Sequence, residues 1–238
     1  MVTIKKLNCG TTVIMEKSER VQSVALGIWV RAGASDEWDE VSGVSHFIEH
    51  MMFKGTKNRT AKQIAEDVDK IGGVFNAFTG KEATCYYIKT LSSNICRGAE
   101  ILLDMLTGSK FDQEEMDRER QVICEEIKMV KDTPDDDVYD TISELVAGGN
   151  PLGRSILGTP ESLAGIDRSR LVDYRDQMYA RDSIVVAVAG NFDEEAIEAI
   201  FEDRLTSLRD KKPKKEIQLK PYQQSFNVKV RDIEKTHI

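Results

Sequence analysis

Residues 44–52 read VSHFIEHMM, and two patterns overlap in them. Apolar side chains recur at positions i, i+3, i+4, i+7 and i+8, the spacing of an amphipathic helix that packs on a core. They are Val44, Phe47, Ile48, Met51 and Met52. On a helical wheel of about 100° per residue, His46, Glu49 and His50 fall on the opposite side. The stretch therefore predicts a helix with one packed face and one polar face toward water or a cleft.

The spacing of the two histidines suits a metal ion. Residues four apart on a helix project from one face, so His46 and His50 can both direct an imidazole nitrogen at one tetrahedral metal. Glu49 stands beside them, where its carboxylate fits a general base acting on a water better than a ligand. This H-x-x-E-H order is that of an inverted zinc-peptidase helix. The alternative, two ordinary helix histidines, is disfavoured because the chain has only 3 His in 238 residues.

A catalytic zinc ion needs a third protein ligand and an open position. The remaining histidine, His237, lies beside the last residue, and the four cysteines form no C-x-x-C pair. An acid is the better expectation, and in the predicted helix 113–130 Glu119 and Glu126 lie seven residues apart beside an apolar stripe. With no Lys or Arg evident next to them, such carboxylates are costly unless paired or bound to metal. The competing interpretation is a partly exposed acid whose aliphatic stem packs.

Further motifs accompany this helix. They are HFIEHMMFKGT at 46–56, the glycine pair at 72–73, NAFT at 76–79 and the Glu-rich helix at 113–130. Together they resemble the pitrilysin family of metallopeptidases, an inverzincin family. They resemble most the bacterial relatives of the catalytic beta subunit of the mitochondrial processing peptidase. The similarity extends from residues 8–10 to residues 189–192 and so covers most of the chain.

The resemblance implies roles for the acids and histidines. It implies one Zn²⁺ ion per chain, held by His46, His50 and Glu126. Glu119 would support the catalytic site without binding the metal, in addition to the base Glu49. The resemblance thus selects the two acids that the helical pattern had marked.

The resemblance also implies how a substrate binds. An extended peptide or unfolded protein segment would add to the edge of a sheet at Asn76, Ala77 and Phe78. From the residues alone, Asn76 would be an ordinary polar residue near a turn. Family members carry a second homologous α+β domain, or a partner subunit, that closes over the substrate and supplies an Arg/Tyr pair. No residue of this chain can be assigned to that pair, so a second domain or subunit is the expected partner.

Composition limits the remaining possibilities. With 40% hydrophobic and 31% charged residues, the chain is expected to be globular. The net charge of -8 disfavours nucleic acid as a partner. No run of 18 apolar residues predicts a membrane span, and the N-terminal sequence lacks the apolar region of a secretory signal, so a cytoplasmic location is expected. Four cysteines without a spacing pattern are expected to be reduced core thiols.

The order of predicted elements indicates an α+β fold, with a mixed, largely antiparallel sheet and helices packed on one face, as in a processing-peptidase-like metallohydrolase domain. Strands are predicted at 11–16, 24–30, 74–79, 84–91 and 183–190, the last one buried on both faces. The first helix is expected to be capped by Ser42 or Ser45 and to stop at Gly55. The glycines of 148–153 predict a loop without regular structure.

The domain organisation is expected to comprise a catalytic zinc-binding domain at 1–209, a linker at 210–222 and the start of a truncated second domain at 223–238. The linker contains KKPKK at 211–215, which is an alternative candidate for a nucleic-acid patch. Residues 226–230 alternate like a strand and support a new domain.

These observations predict a zinc-dependent metalloendopeptidase that hydrolyses extended peptides or unstructured protein segments, with Glu49 as general base. The main alternative is a non-catalytic or half-site subunit or fragment, which binds zinc but needs a second domain or partner for turnover. The sequence also fits a different metallohydrolase with the same half-site, or a zinc-binding or interaction module without turnover.

Overall fold

A six-stranded sheet organises the fold. The computed structural model describes residues 1–147, 149–213 and 221. The strands are β1 Val2–Lys6, β2 Thr12–Lys17, β3 Ser23–Val30, β4 Val74–Thr79, β5 Thr84–Leu91 and β6 Ile184–Gly190. They lie in the order β1-β2-β6-β3-β5-β4, and every neighbouring pair is antiparallel except β2 and β6. The predicted α+β class with a mixed, largely antiparallel sheet is confirmed.

Helices cover one face of this sheet. They are α1 Val44–Met52, α2 Ala61–Lys70, α3 Ile95–Gly108, α4 Gln113–Asp132, α5 Pro134–Ala147, α6 Pro160–Ala164, α7 Arg168–Met178 and α8 Glu194–Leu205. On the covered face Leu26, Ile28 and Ile88 are fully buried. On the opposite face Trp29 and Phe78 contact each other edge to face and stay partly exposed.

Helix α1 lies inside the core. All five apolar residues of its predicted stripe are at most 1% exposed, which confirms the helical pattern. At roughly 1.5–3 kcal/mol for each fully buried large apolar side chain, this packing strongly fixes the position of α1. The polar residues of the helix are therefore held on a rigid element.

The start of α1 differs from the prediction. Neither serine caps it. The N-cap residue is Gly43, with φ of 89°, and a glycine has no side chain that could accept a capping hydrogen bond. The carboxylate of Glu37 takes that role: its two oxygens accept hydrogen bonds from the backbone N–H of Gly43 at 2.7 Å and of Ser45 at 2.8 Å. An acid from the preceding turn satisfies the free N–H groups of a helix as well as a local serine can, and sequence proximity does not reveal it.

Three further elements differ from the sequence-based expectation. Strand β1 was missed because it is a short, largely exposed edge strand that pairs only with β2 among the described residues. Strand β6 is not buried on both faces, since burial alternates along it and Ala189 is exposed. The loop expected at 148–153 contains a 3₁₀ turn at Pro151–Gly153.

The first residues after α8 are hydrogen-bonded to the rest of the domain. The backbone N–H of Asp182 donates to the carbonyl of Asp210 at 3.2 Å, and that of Lys212 donates to the Asp182 carboxylate at 2.8 Å. Most of the predicted linker, the predicted second-domain start at 223–238 and His237 lie outside the described residues. The division into domains stays a prediction.

The four cysteines are free thiols, with Cys9 and Cys85 buried and Cys96 and Cys124 half-buried. None of the described helices combines the length and the apolar character needed to cross a bilayer.

Candidate metal centre

His46 and His50 on α1 converge with Glu126 on α4. One ligand atom from each residue lies within 4.8 Å of the other two. The Glu126 Oε2 atom is 3.7 Å from Nε2 of His46 and 3.7 Å from Nε2 of His50. In a tetrahedral site with ligand bonds of about 2.0–2.1 Å, ligand atoms are roughly 3.4 Å apart. The separations therefore fit one zinc ion with little movement.

Helix α4 presents both predicted acids to α1. Its buried residues include Met116, Ile123 and Ile127, which hold the helix against the core. Glu119 and Glu126 follow the same line of the helix, two turns apart, and both reach the histidines. The seven-residue spacing that singled them out in the sequence thus places them side by side in the structure.

His46 has the protonation state that a metal ligand needs. Burial and the neighbouring His50 lower the pKa of His46 to about 3. The imidazole is therefore neutral at physiological pH and carries a free lone pair. Its Nδ1 atom is buried without a hydrogen-bond partner among the described residues.

His50 is oriented by Glu119. Its Nδ1 atom lies 3.0 Å from Glu119 Oε2, and a carboxylate at this distance accepts a hydrogen bond from a protonated Nδ1. The Nε2 atom is then left with its lone pair on the side of Glu126. The sequence-based statement that no Lys or Arg lies beside these acids is wrong for Glu119, because Lys54 Nζ is 2.6 Å from Glu119 Oε1. Lys54 lies in the turn after α1, so only the folded chain brings the two together.

Glu49 lies beside the cluster but outside it. One of its carboxylate oxygens accepts a hydrogen bond from the Thr79 hydroxyl at the end of β4. Burial raises the pKa of Glu49 above its usual value, while the Thr79 hydrogen bond opposes that rise. A carboxylate with a raised pKa beside a candidate metal site is suited to accept a proton from water.

The three predicted substrate-binding residues lie on β4, the last strand in the sheet order. Within the described residues, the outer edge of β4 is unpaired. Ala77 and Phe78 line a cleft of about 440 Å³ together with His46, Glu49 and Glu126. Asn76 does not line this cleft, and its side-chain oxygen accepts from the backbone N–H of Ala77 at 2.9 Å.

The far wall of the cleft was not predicted from the sequence. It is formed by residues from α5 and from the segment that follows the 3₁₀ turn: Asp136, Tyr139, Asp140, Ser155, Ile156 and Leu157. Helix α5 has no buried residue, and Tyr139 is 71% exposed. An exposed aromatic residue on a helix with a weak apolar pattern gives little signal in a single sequence.

Comparisons with known proteins agree with this site. The family described as insulinase (peptidase family M16) matches residues 12–160, and the one described as peptidase M16 inactive domain matches residues 165–238. The boundary between these matches falls inside one folded unit, because β6 lies between β2 and β3. An uncharacterized zinc protease of Bacillus subtilis (strain 168) is 43% identical over 199 residues, which are 83% of this chain and 49% of that protein.

Solved structures show the same fold. A protease from Helicobacter pylori superposes with a TM-score of 0.83 at 22% identity, covering 94% of this chain and 53% of that one. Pitrilysin superposes with a TM-score of 0.79 at 19% identity, covering 92% of this chain and 24% of that one. This chain spans about half the length of the curated relative that it matches. The predicted family resemblance is confirmed, and the chain belongs to peptidase family M16, the insulinase and pitrilysin-like family whose relatives are named zinc proteases.

Proposed function

We propose that this chain carries the zinc-binding half of a metalloendopeptidase that hydrolyses extended peptides or unstructured protein segments. One observation carries the proposal. Three ligand atoms from two helices converge within 4.8 Å of one another, and the separate carboxylate of Glu49 faces the same cleft. Ligands plus a neighbouring base, beside an open strand edge, are what metal-assisted peptide hydrolysis requires.

The residues of the site have three proposed roles: metal binding, orientation of a ligand and proton transfer. His46, His50 and Glu126 would hold one zinc ion, and Glu119 would fix the ring of His50 through its Nδ1 proton. Zinc supplies, when bound, a Lewis acid that activates water and polarises a carbonyl. Glu49 takes the proton of the attacking water and passes it to the amine nitrogen that leaves.

Substrate binding is proposed at the open edge of β4. A peptide in extended conformation would pair with the backbone of this strand near Asn76, Ala77 and Phe78 and so pass in front of Glu49. Backbone pairing is tolerant of side-chain identity, and most backbone groups of a folded protein are already hydrogen-bonded within it. Peptides and unfolded segments are therefore the proposed substrate class.

The second candidate is a half-site that needs a partner for turnover. Its support is the length comparison, since this chain spans 49% of the Bacillus subtilis relative. A second homologous domain or subunit would cover the cleft and supply groups that hold the scissile carbonyl. A processing-peptidase type of activity belongs to that assembled form.

The experiment compares this chain with a version extended past Ile238, each loaded with zinc or stripped by a chelator. The substrate is a quenched fluorescent peptide without secondary structure. We expect both forms to bind zinc, and we expect chelator-sensitive cleavage to be much faster for the extended form. Cleavage that survives complete zinc removal would contradict the metallopeptidase proposal. Equal turnover by both forms would contradict the need for a second half.

A further inference from the structure

The hydroxyl of Thr79 reaches from the proposed peptide-binding strand to the proposed base. Thr79 Oγ1 donates a hydrogen bond to Glu49 Oε2. In the described part of the chain, this is the only hydrogen bond that the Glu49 carboxylate accepts. The other oxygen remains available toward the cleft that Glu49 and Thr79 line together with His46.

The backbone of Thr79 is held firmly. Thr79 pairs with Thr84 in the last register position of β4 and β5. The turn that follows is closed by the Gly80 N–H, which donates to the carbonyl of Ala83 at 2.8 Å. The same turn also accepts a hydrogen bond from another part of the chain, since the Ser35 N–H donates to the carbonyl of Lys81 at 2.8 Å. The hydroxyl is therefore presented from a fixed point of the sheet.

Side-chain chemistry adds to this rigidity. A threonine has restricted χ1 rotamers because it is branched at Cβ, so its hydroxyl is directed with little loss of entropy on folding. A glutamate has three rotatable bonds, and its carboxylate would otherwise sample several positions in a half-open cleft. Glu49 lies on the buried helix α1, and among the described residues the hydrogen bond from Thr79 is what orients its carboxylate group.

We infer that Thr79 is a positioning residue, which holds the Glu49 carboxylate so that one oxygen is aimed at the attacking water. It also links the strand that would bind the peptide to the group that would take the proton. This inference rests on the proposed function for its effect on rate, but the contact itself can be tested without turnover. Thr79 is not one of the three candidate ligands, and its hydroxyl is directed at Glu49.

The kinetic test uses the zinc-loaded form extended past Ile238, which we call the peptide-cleaving form. It carries Thr79→Val, a substitution that keeps the branched shape and removes the hydroxyl. We expect kcat to fall by about 10- to 100-fold, the cost of a misplaced catalytic group, while KM and zinc content stay unchanged. Thr79→Ser restores a hydroxyl and is expected to recover most of the lost kcat. Thr12→Val is the matched control, because Thr12 lies in β2, near the opposite end of the strand order from β4.

A second measurement is independent of turnover. The side-chain carboxyl ¹³C resonance of Glu49, assigned by its loss in Glu49→Gln, is recorded at constant pH for this chain. We expect it to shift or broaden in Thr79→Val and to return toward the parent in Thr79→Ser. An unchanged resonance, a kcat near the parent value in Thr79→Val, or an equal loss in Thr79→Ser would overturn the inference. Failure of the extended, zinc-loaded form to cleave any peptide would instead refute the proposed function, and the resonance would still test the contact.

Discussion

Lys54 Nζ lies 2.6 Å from Oε1 of Glu119, an acid that is only 6% exposed. The opposite oxygen of Glu119 meets Nδ1 of His50 at 3.0 Å. The ion pair therefore continues as a chain of contacts from the turn after α1 to a proposed zinc ligand. A buried carboxylate with both oxygens occupied is fixed in place, and so is the imidazole that it contacts.

Removing the cation of this pair tests its role. Lys54→Met leaves Glu119 without its charged partner, so we expect the free energy of unfolding to fall by about 1–3 kcal/mol. We also expect zinc affinity to fall by roughly tenfold or more, because the orientation of His50 is loosened. Urea unfolding and zinc titration measure the two effects. Lys57→Met, a nearby exposed lysine, is the control, and equal effects in both variants would show that the pair has no special role.

The third-ligand assignment is tested by neutral substitution. Glu126→Gln replaces a carboxylate ligand by an amide of the same size, and we expect zinc affinity to fall by 100-fold or more, on the order of 3 kcal/mol. The adjacent Glu125 is 71% exposed at its side chain and pairs with Lys128, so Glu125→Gln should bind zinc like the parent. Unchanged affinity in Glu126→Gln would exclude this residue as a ligand.

Glu37 predicts a pH dependence of stability. Burial raises its pKa from 4.5 to about 7, although two backbone N–H groups and Arg154 favour the carboxylate. Between these two pH values the folded state holds a proton that the unfolded state releases, so the contribution of Glu37 to stability falls as pH rises through this window. The difference amounts to at most about 3 kcal/mol.

The measurement for Glu37 is urea unfolding of the metal-free chain at pH 5 and pH 8. Glu37→Gln cannot ionise at this position. Its free energy of unfolding should therefore fall less between pH 5 and pH 8 than that of the parent. Other titrating groups contribute equally to both proteins and cancel in the comparison. Glu40→Gln, at an exposed position three residues on, should follow the parent. Parallel pH profiles for the parent and Glu37→Gln would contradict this prediction.

Gly43 is constrained in two ways at the start of α1. Its φ is 89°, and a Cβ atom built there would lie 2.6 Å from the carbonyl oxygen of Leu157. Gly72 also has a positive φ, of 61°, but a Cβ atom there meets nothing within 4 Å. We therefore expect Gly43→Ala to destabilise the protein by about 2 kcal/mol or more, and Gly72→Ala by about 1 kcal/mol. Equal losses in thermal or urea unfolding would mean that the contact with Leu157 is not rigid.

The elements that can be predicted from the sequence are those with a local pattern of apolar residues. The apolar stripe of α1 is strongly periodic, and the structure confirms it. The strands predicted at 74–79 and 84–91 are observed with the same bounds. Strand β1 lacks such a signal, because its side chains are mostly exposed and its pairing with β2 is what makes it a strand. Sheet order was also out of reach, since β6 comes late in the chain and inserts between β2 and β3.

The site shows the same division. His46, Glu49 and His50 are neighbours on one helix and are predicted from their spacing. The helical pattern marks Glu119 and Glu126 as candidates, and the family resemblance is what assigns Glu126 as the ligand. The contacts of Lys54 with Glu119 and of Glu37 with Gly43 join residues that are separate in sequence and have no fixed spacing. Such contacts follow from the packing of helices and turns, so only the folded structure shows them.

We propose that His46, His50 and Glu126 hold zinc while Glu49 acts as the base. The most direct measurement is zinc content together with the hydrolysis rate of a quenched extended peptide, for Glu49→Gln in the peptide-cleaving form. We predict that this variant keeps its zinc and its fold but loses at least about 100-fold in kcat. Cleavage at the rate of the parent, with zinc bound, would contradict the account.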